Sequence, residues 1–281
     1  MTTSLGDQAI VGRLLCDSIG ASGGSGGVNE IRFKDQIRLD SRNEEAGIAI
    51  GLNSGETAQG AGATAVGFFS GKTSQSIFPT AIGFQAGETN QGEAATACGE
   101  NAGQTNQGEN ACAFGHEAGD DNQQEFAAAF GYRAGFRRQQ ENAVALGHAA
   151  GETDQQENAV AVGLNAGLLN QQNDAVALGH DAGEKNQQEK AISIGYEAGR
   201  DQQGENAVAI GAGAGKGLAP PGIGQHEKSI IINARGNLTP LNSDKTEAFF
   251  VAPIQSRAAP PVAGAYQLYY DTNNNEIYYQ V

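Results

Sequence analysis

A glycine stands at Gly51 and recurs every sixteen residues without a slip, at Gly67, Gly83, Gly99, Gly115, Gly131, Gly147, Gly163, Gly179, Gly195 and Gly211. A second glycine ladder runs four residues behind the first, from Gly55 to Gly215, also without a gap. Repetition at one fixed length over eleven copies is the mark of a solenoid, in which each repeat is a coil stacked on the last. Such a chain draws its core out along the stack instead of gathering it into one deep interior. That argues against an enzyme built around a pocket.

Each coil can be numbered from its first Gly. The five residues ending at that Gly read Ala-Val-Ala-Leu-Gly in the clearest copies, Ala143 to Gly147 and Ala175 to Gly179. Small residues alternate with Val, Ile or Leu, and alternation of period two with β-branched residues predicts a strand. Two glycines four residues apart then predict a turn with positive φ. Four residues past the second Gly stands a glutamine in all ten coils where the repeat continues: Gln59, Gln75, Gln91, Gln107, Gln123, Gln139, Gln155, Gln171, Gln187 and Gln203. Stacked strands lie ~4.8 Å apart, so these side chains are expected to point inward and bond up the stack as an amide ladder. Two residues further on, Glu recurs in seven coils, at Glu93, Glu109, Glu125, Glu141, Glu157, Glu189 and Glu205. Like charges at that spacing repel, so this column is expected to face water.

One coil therefore carries one apolar and one polar strand. The polar strand cannot cover both faces of the apolar one. The uncovered face needs a partner, and further copies of the same chain are the simplest. The small Ala side chains, which would let backbones approach closely, are expected to make that contact.

Aromatics are 6% of the chain, Trp is absent and glycine supplies 41 residues, which suits a thin stack of roughly 50 Å for eleven coils. Net charge is −15, and residues 46–215 hold 20 acidic and 7 basic residues. An acidic surface argues against binding nucleic acid or an anionic membrane. The three cysteines form no disulfide framework. Cys98 and Cys112 fall at large-residue positions and read as small core hydrophobes, and the odd count suits assembly in a reducing compartment. No secretory signal and no stretch of membrane-spanning length is read.

Four regions follow. Residues 1–45 form an attachment segment: a short amphipathic stretch at Asp7 to Ile19, a Gly/Ser linker, and alternating strands that cap the stack. Residues 46–215 are the regular roll. Residues 216–228 are a Gly/Pro insertion. Residues 229–281 hold a degenerate coil at Ser229 to Asn233, with Asn233 in place of the turn glycine, and an aromatic β cap with five tyrosines and two phenylalanines. Within the cap, Asp271 to Asn275 reads as a hairpin turn between Tyr266–Tyr270 and Glu276–Tyr279. The predicted fold is all-β: a parallel β-roll, or β-solenoid, of eleven regular coils plus degenerate end coils and a small C-terminal β cap.

The stretch Glu141-Asn-Ala-Val-Ala-Leu-Gly-His148, followed by Ala150-Gly151, resembles the head repeat of YadA-like trimeric adhesins, and the resemblance extends from Gly47 to Asn233. It implies a left-handed roll that assembles as a homotrimer. The coil here is longer than the adhesin coil, and the chain shows neither a coiled-coil stalk nor an outer-membrane anchor. The ending, Phe249-Phe-Val-Ala-Pro-Ile254 with Leu268-Tyr-Tyr-Asp271 and Glu276-Ile-Tyr-Tyr279, is similar to the tail of fibre and surface proteins of large DNA viruses and phages. Together with the free cysteines this leads to the expectation of a non-enzymatic fibre on a virion, assembled in the host cytoplasm, with capsid proteins and a host receptor or glycan as further partners. The alternatives are a bacterial surface adhesin head, a glycan-active β-helix enzyme and an ice-binding solenoid.

No catalytic, cofactor or metal residues are assigned. His116, His148 and His180 follow the first Gly in alternate coils, roughly 10 Å apart along the stack, too far to share a metal within one chain. With Phe68, Phe84, Tyr132 and Tyr196 they form an aromatic rib. Thr57, Thr73, Thr89 and Thr105 align as an ice binder would need, but the column fails at Asp121 and Arg137.

Overall fold

The computed structural model describes residues 47–217, 224–236, 241–243 and 245–252, together with the strands Leu268–Asp271 and Glu276–Tyr279. The attachment segment with its expected cap strands, the middle of the insertion and the hairpin turn lie outside the described residues. Those described belong to one compact unit, residues 41–281.

The fold is a parallel β-solenoid of about twelve coils, and no helix occurs among the described residues. One sheet holds thirteen strands, from Ile48–Ile50 to Phe249–Ala252, paired in sequence order. Its register advances by one repeat per rung, as in Val144↔Val160↔Val176↔Ile192. The second sheet holds the Gln strands Thr73–Gln75, Thr89–Gln91, Thr105–Gln107, Asp121–Gln123 and Arg137–Gln139. Single bridges continue it from Arg137 through Thr153, Leu169 and Lys185 to Asp201. At the C-terminus, Leu268–Asp271 and Glu276–Tyr279 pair antiparallel.

The two glycines of each coil serve different ends. At Gly147 φ is +132°, and a Cβ there would lie 2.5 Å from the carbonyl oxygen of Gly163 in the next coil. At Gly151 φ is +53°, which Asn can also adopt, but a Cβ would lie 2.6 Å from Oε1 of Gln155. The first glycine lets coils stack, and the second makes room for the interior amide. Three further left-handed positions per coil carry side chains, as at Asn158, Asn165 and Asn170. Asn bears positive φ better than most residues, which accounts for its recurrence in the turns. The sequence pattern alone had not singled these positions out.

The interior is made of alanine and glutamine. Ala143, Ala145 and Ala150 are fully buried, as are their equivalents from coil to coil. This corrects the expectation that the alanine face meets another chain. A coil of sixteen residues leaves room between its two strands only for methyl groups and one flat amide, so alanine goes inside and the large residues go out. Cys98 and Cys112 follow the large residues: both stand half-exposed on the outer side instead of in the core.

Within this space Gln75, Gln91, Gln107, Gln123, Gln139, Gln155, Gln171, Gln187 and Gln203 are buried. Each Nε2 donates to Oε1 of the glutamine one coil on; the distance is 3.0 Å from Gln139 to Gln155. Gln139 Nε2 also donates to the carbonyls of Ala128 at 3.0 Å and Ala143 at 3.2 Å, so the amide ties both strands together. Gln59 stands off the ladder: it is half-buried, its Nε2 goes to the carbonyls of Ile48 and Ala63, and Gln75 Oε1 receives no donor. At the other end the ladder runs on past Gln203 to Gln225, 3.1 Å away and 22 residues along the chain. It ends on hydroxyls, with Gln225 Nε2 donating to Ser229 Oγ at 3.2 Å and Ser229 lying 3.2 Å from Ser243.

Gln225 shows that the coil is already back in register well before Lys228. Asn233 closes the strand Ile230–Asn233 without a left-handed backbone, and its Nδ2 donates to the carbonyl of Ala212 at 2.8 Å. The strand Phe249–Ala252, read from sequence as cap, is the last rung of the long sheet and pairs in parallel with Ile230–Asn233.

Candidate functional site

From Thr64–Val66 to Val208–Ile210 the strands of the long sheet bury their middle residue and turn the flanking two outward. In Val144–Leu146 the first is half-buried, Ala145 is fully buried and Leu146 is 47% exposed. Ile82, Phe114, Phe130, Leu178, Ile194, Ile210 and Ile232 repeat the exposed position. A column of apolar side chains therefore runs from Ile50 to Val251, with half-buried Val66, Cys98 and Val162 at the same position in three coils. Thirteen rungs at ~4.8 Å and a width of ~10 Å make a face on the order of 600 Å². That is at the upper end of what a monomer usually leaves in water as one apolar patch.

One rim of this face is aromatic. Phe68 and Phe84 stack with centroids 5.4 Å apart. Tyr132 lies between His116 and His148, at 5.3 and 5.0 Å, and His180 meets Tyr196 at 5.1 Å. On the face itself Phe114 and Phe130 stack at 5.0 Å and 4°. The coil spacing brings equivalent rings to stacking distance, so the rib follows from the repeat.

The remaining surface is polar. Glu93, Glu109, Glu125, Glu141, Glu157, Glu189 and Glu205 are all exposed. Glu125, Glu141 and Glu157, with Gln124 and Gln140, line a groove of about 290 Å³. Its charged groups are all carboxylates at one spacing, with no base or cation set against them. Among the described residues no three His, Cys, Asp or Glu stand together as a metal-binding group. The aligned Thr57, Thr73, Thr89 and Thr105 belong to the Gln-strand side, where the ladder continues through Asp121.

A third lengthwise feature is a seam formed by the residues two and five places after each first Gly. Arg133 Nη1 reaches Glu152 at 2.8 Å and its Nε reaches Glu117 at 3.2 Å, while the guanidinium lies 4.2 Å over the Phe136 ring. Glu197 is buried and shared by Arg200 at 2.8 Å and Lys216 at 2.6 Å. Half-buried Asp120 has its carboxyl pushed up to about 6, first by burial and then by Glu117 and Asp121, against the opposing pull of Arg137 and Arg133. Beside the bridge residue Thr153, Asp154 is held below its ordinary range, chiefly by the hydrogen bonds from Arg138. Burial pushes the Cys112 thiol up, which makes it a poor nucleophile.

Sequence pattern pointed to the glycine and glutamine columns because each is occupied by one residue type. The seam uses Glu, Asp, Arg, Lys, Gln and Asn in turn, so its pairing emerges only when the coils are stacked. Compared with known protein families, curated proteins and solved structures, the chain matches none.

Proposed function

We propose that this chain is a non-enzymatic structural protein of the fibre or adhesin-head kind, which joins further copies of itself along the outer face of the long sheet and presents surface on a virus particle. The observation that carries the self-association is the column of exposed Ile, Leu, Val and Phe at one position of the coil, interrupted by half-buried Val66, Cys98 and Val162. A second copy offers the same column at the same spacing, so each rung can meet a rung, and no unrelated partner matches that period by default. The count of three copies rests on the resemblance to trimeric adhesin heads. The particle rests on the resemblance of the C-terminal stretch to viral and phage fibres, and attachment to a capsid protein or to a host receptor or glycan follows from that reading. The lack of converging acid, base and cation in the acidic groove supports the non-enzymatic part.

Light scattering tests this directly. The wild type is expected at three times its 28.9 kDa chain mass, and Leu146→Lys with Leu178→Lys as a folded monomer. A wild-type monomer at micromolar concentration overturns the self-association. Hydrolysis of a glycan by the purified protein overturns the non-enzymatic reading.

A further inference from the structure

Along the seam, the carboxylates of Glu88, Glu117, Glu152, Asp181, Glu184 and Glu197 each have a donor or cation: Gln85 and Gln104 for Glu88, Arg133 for Glu117 and Glu152, Asn165 for Asp181, Lys185 for Glu184, Arg200 and Lys216 for Glu197. Glu56 stands exposed to water, and half-buried Asp120 is the exception. Its Oδ1 is closed off from solvent and accepts no hydrogen bond. Asn101 Oδ1 is likewise closed off and without a donor. Arg133 with Glu152 and Glu197 with Lys216 show that the residue two places after one first Gly meets the residue five places after the next. Asn101 and Asp120 occupy those same two places. Where neighbouring coils set a cation against a carboxylate, these two places hold two closed-off oxygens that receive no hydrogen, and a proton on the carboxyl would supply one.

We propose that Asp120 is a proton-binding site, whose carboxyl takes up a proton in mildly acid solution, donates it to Asn101 Oδ1, and so tightens the middle of the stack. The surroundings agree. Glu117 and Asp121 repel the charged form and Arg133 and Arg137 favour it; Arg133 pairs with Glu152 through Nη1 at 2.8 Å, while its buried Nε, 3.2 Å from Glu117, makes no hydrogen bond. Gln104 and Phe136, the residues at Asp120's place in the coils on either side, carry no charge, and His116 faces Glu117 at 3.5 Å. The carboxyl stands at about 6 against an ordinary 3.8. A carboxyl raised in the folded state binds more protons folded than unfolded between those values. Its stabilising effect is therefore complete below the ordinary value and is lost as pH rises through about 6. The proposal does not depend on the protein being a fibre.

Melting temperature against pH, for the wild type and Asp120→Asn, tests it. The wild type is expected to gain stability from pH ~7.5 to ~5 relative to the variant. Asp120→Asn is expected to melt higher at pH ~7.5, by about 2–4 °C, with the two curves converging near pH ~4. A difference between the curves that does not change with pH, or a variant less stable than the wild type at pH ~7.5, overturns the proposal. Should the variant not fold, the carbon-13 shift of the Asp120 carboxyl in the wild type decides: a midpoint near 6 supports the site, and one below ~4.5 overturns it.

Discussion

At Gly147 two constraints coincide on one residue. Its backbone sits at φ +132°, and its α-carbon faces the Gly163 carbonyl too closely for any side chain. Gly147→Ala is expected to cost about 3 kcal/mol or more, read by denaturant unfolding, because neither strain nor contact can relax without separating two coils. Glutamine is the other residue that no substitute replaces. Gln139 donates to Ala128, Ala143 and Gln155 and accepts from Gln123. Leucine there would fill similar space, remove the side-chain donor from both carbonyls, take one of three acceptors from Gln123 Nε2 and strip the buried Gln155 Oε1 of its amide donor. Gln139→Leu is expected to destabilise by about 3 kcal/mol, whereas Glu141→Gln on the exposed column should stay within about 0.5 kcal/mol. Equal effects from the two changes would show that the ladder is not a buried one.

The strand Val144–Leu146 shows what an element adds. Its residues alternate, and alternation is visible in sequence, but alternation does not say which set faces in. Either the alanines or the large residues could line the coil. The width of the coil decides, since the space opposite Ala145 is already taken by the amide ladder and by Ala150. Ala145→Leu is therefore expected to disrupt the fold itself, lowering the melting temperature at every protein concentration. Leu146→Lys is expected to leave melting of the isolated chain nearly unchanged and to remove the concentration dependence that association brings. Loss of association with an intact fold in Ala145→Leu would return the alanine face to the surface.

For the whole molecule, charge works against stacking. The chain carries −15, and carboxylates such as Glu125, Glu141 and Glu157 recur at coil spacing on the open surface. Cross-coil pairs such as Arg133 with Glu152 offset part of this, but residues 46–215 hold nearly three acids for each base. Repulsion among exposed like charges is screened by salt more than contact pairs in a half-buried seam are. Raising NaCl from ~20 to ~200 mM is thus expected to raise the melting temperature. A fall would mean that the seam's ion pairs outweigh the acidic columns.

By itself the sequence determined the solenoid, its period, the strand that follows each polar turn, the turn glycines and the recurring glutamine. All of these are set by local constraints that return at a fixed spacing: positive φ, alternation, and a residue type no other can replace. The tertiary structure alone decided which way the alanines point, that Gln59 leaves the ladder and Gln225 extends it, that Phe249–Ala252 is one more rung, and that Asp120 Oδ1 is closed off from solvent without a donor. Each of these depends on how much space two stacked coils leave between them and on which side chains stacking brings together, and residues sixteen or twenty-two apart carry no mark of that until the coils are in register.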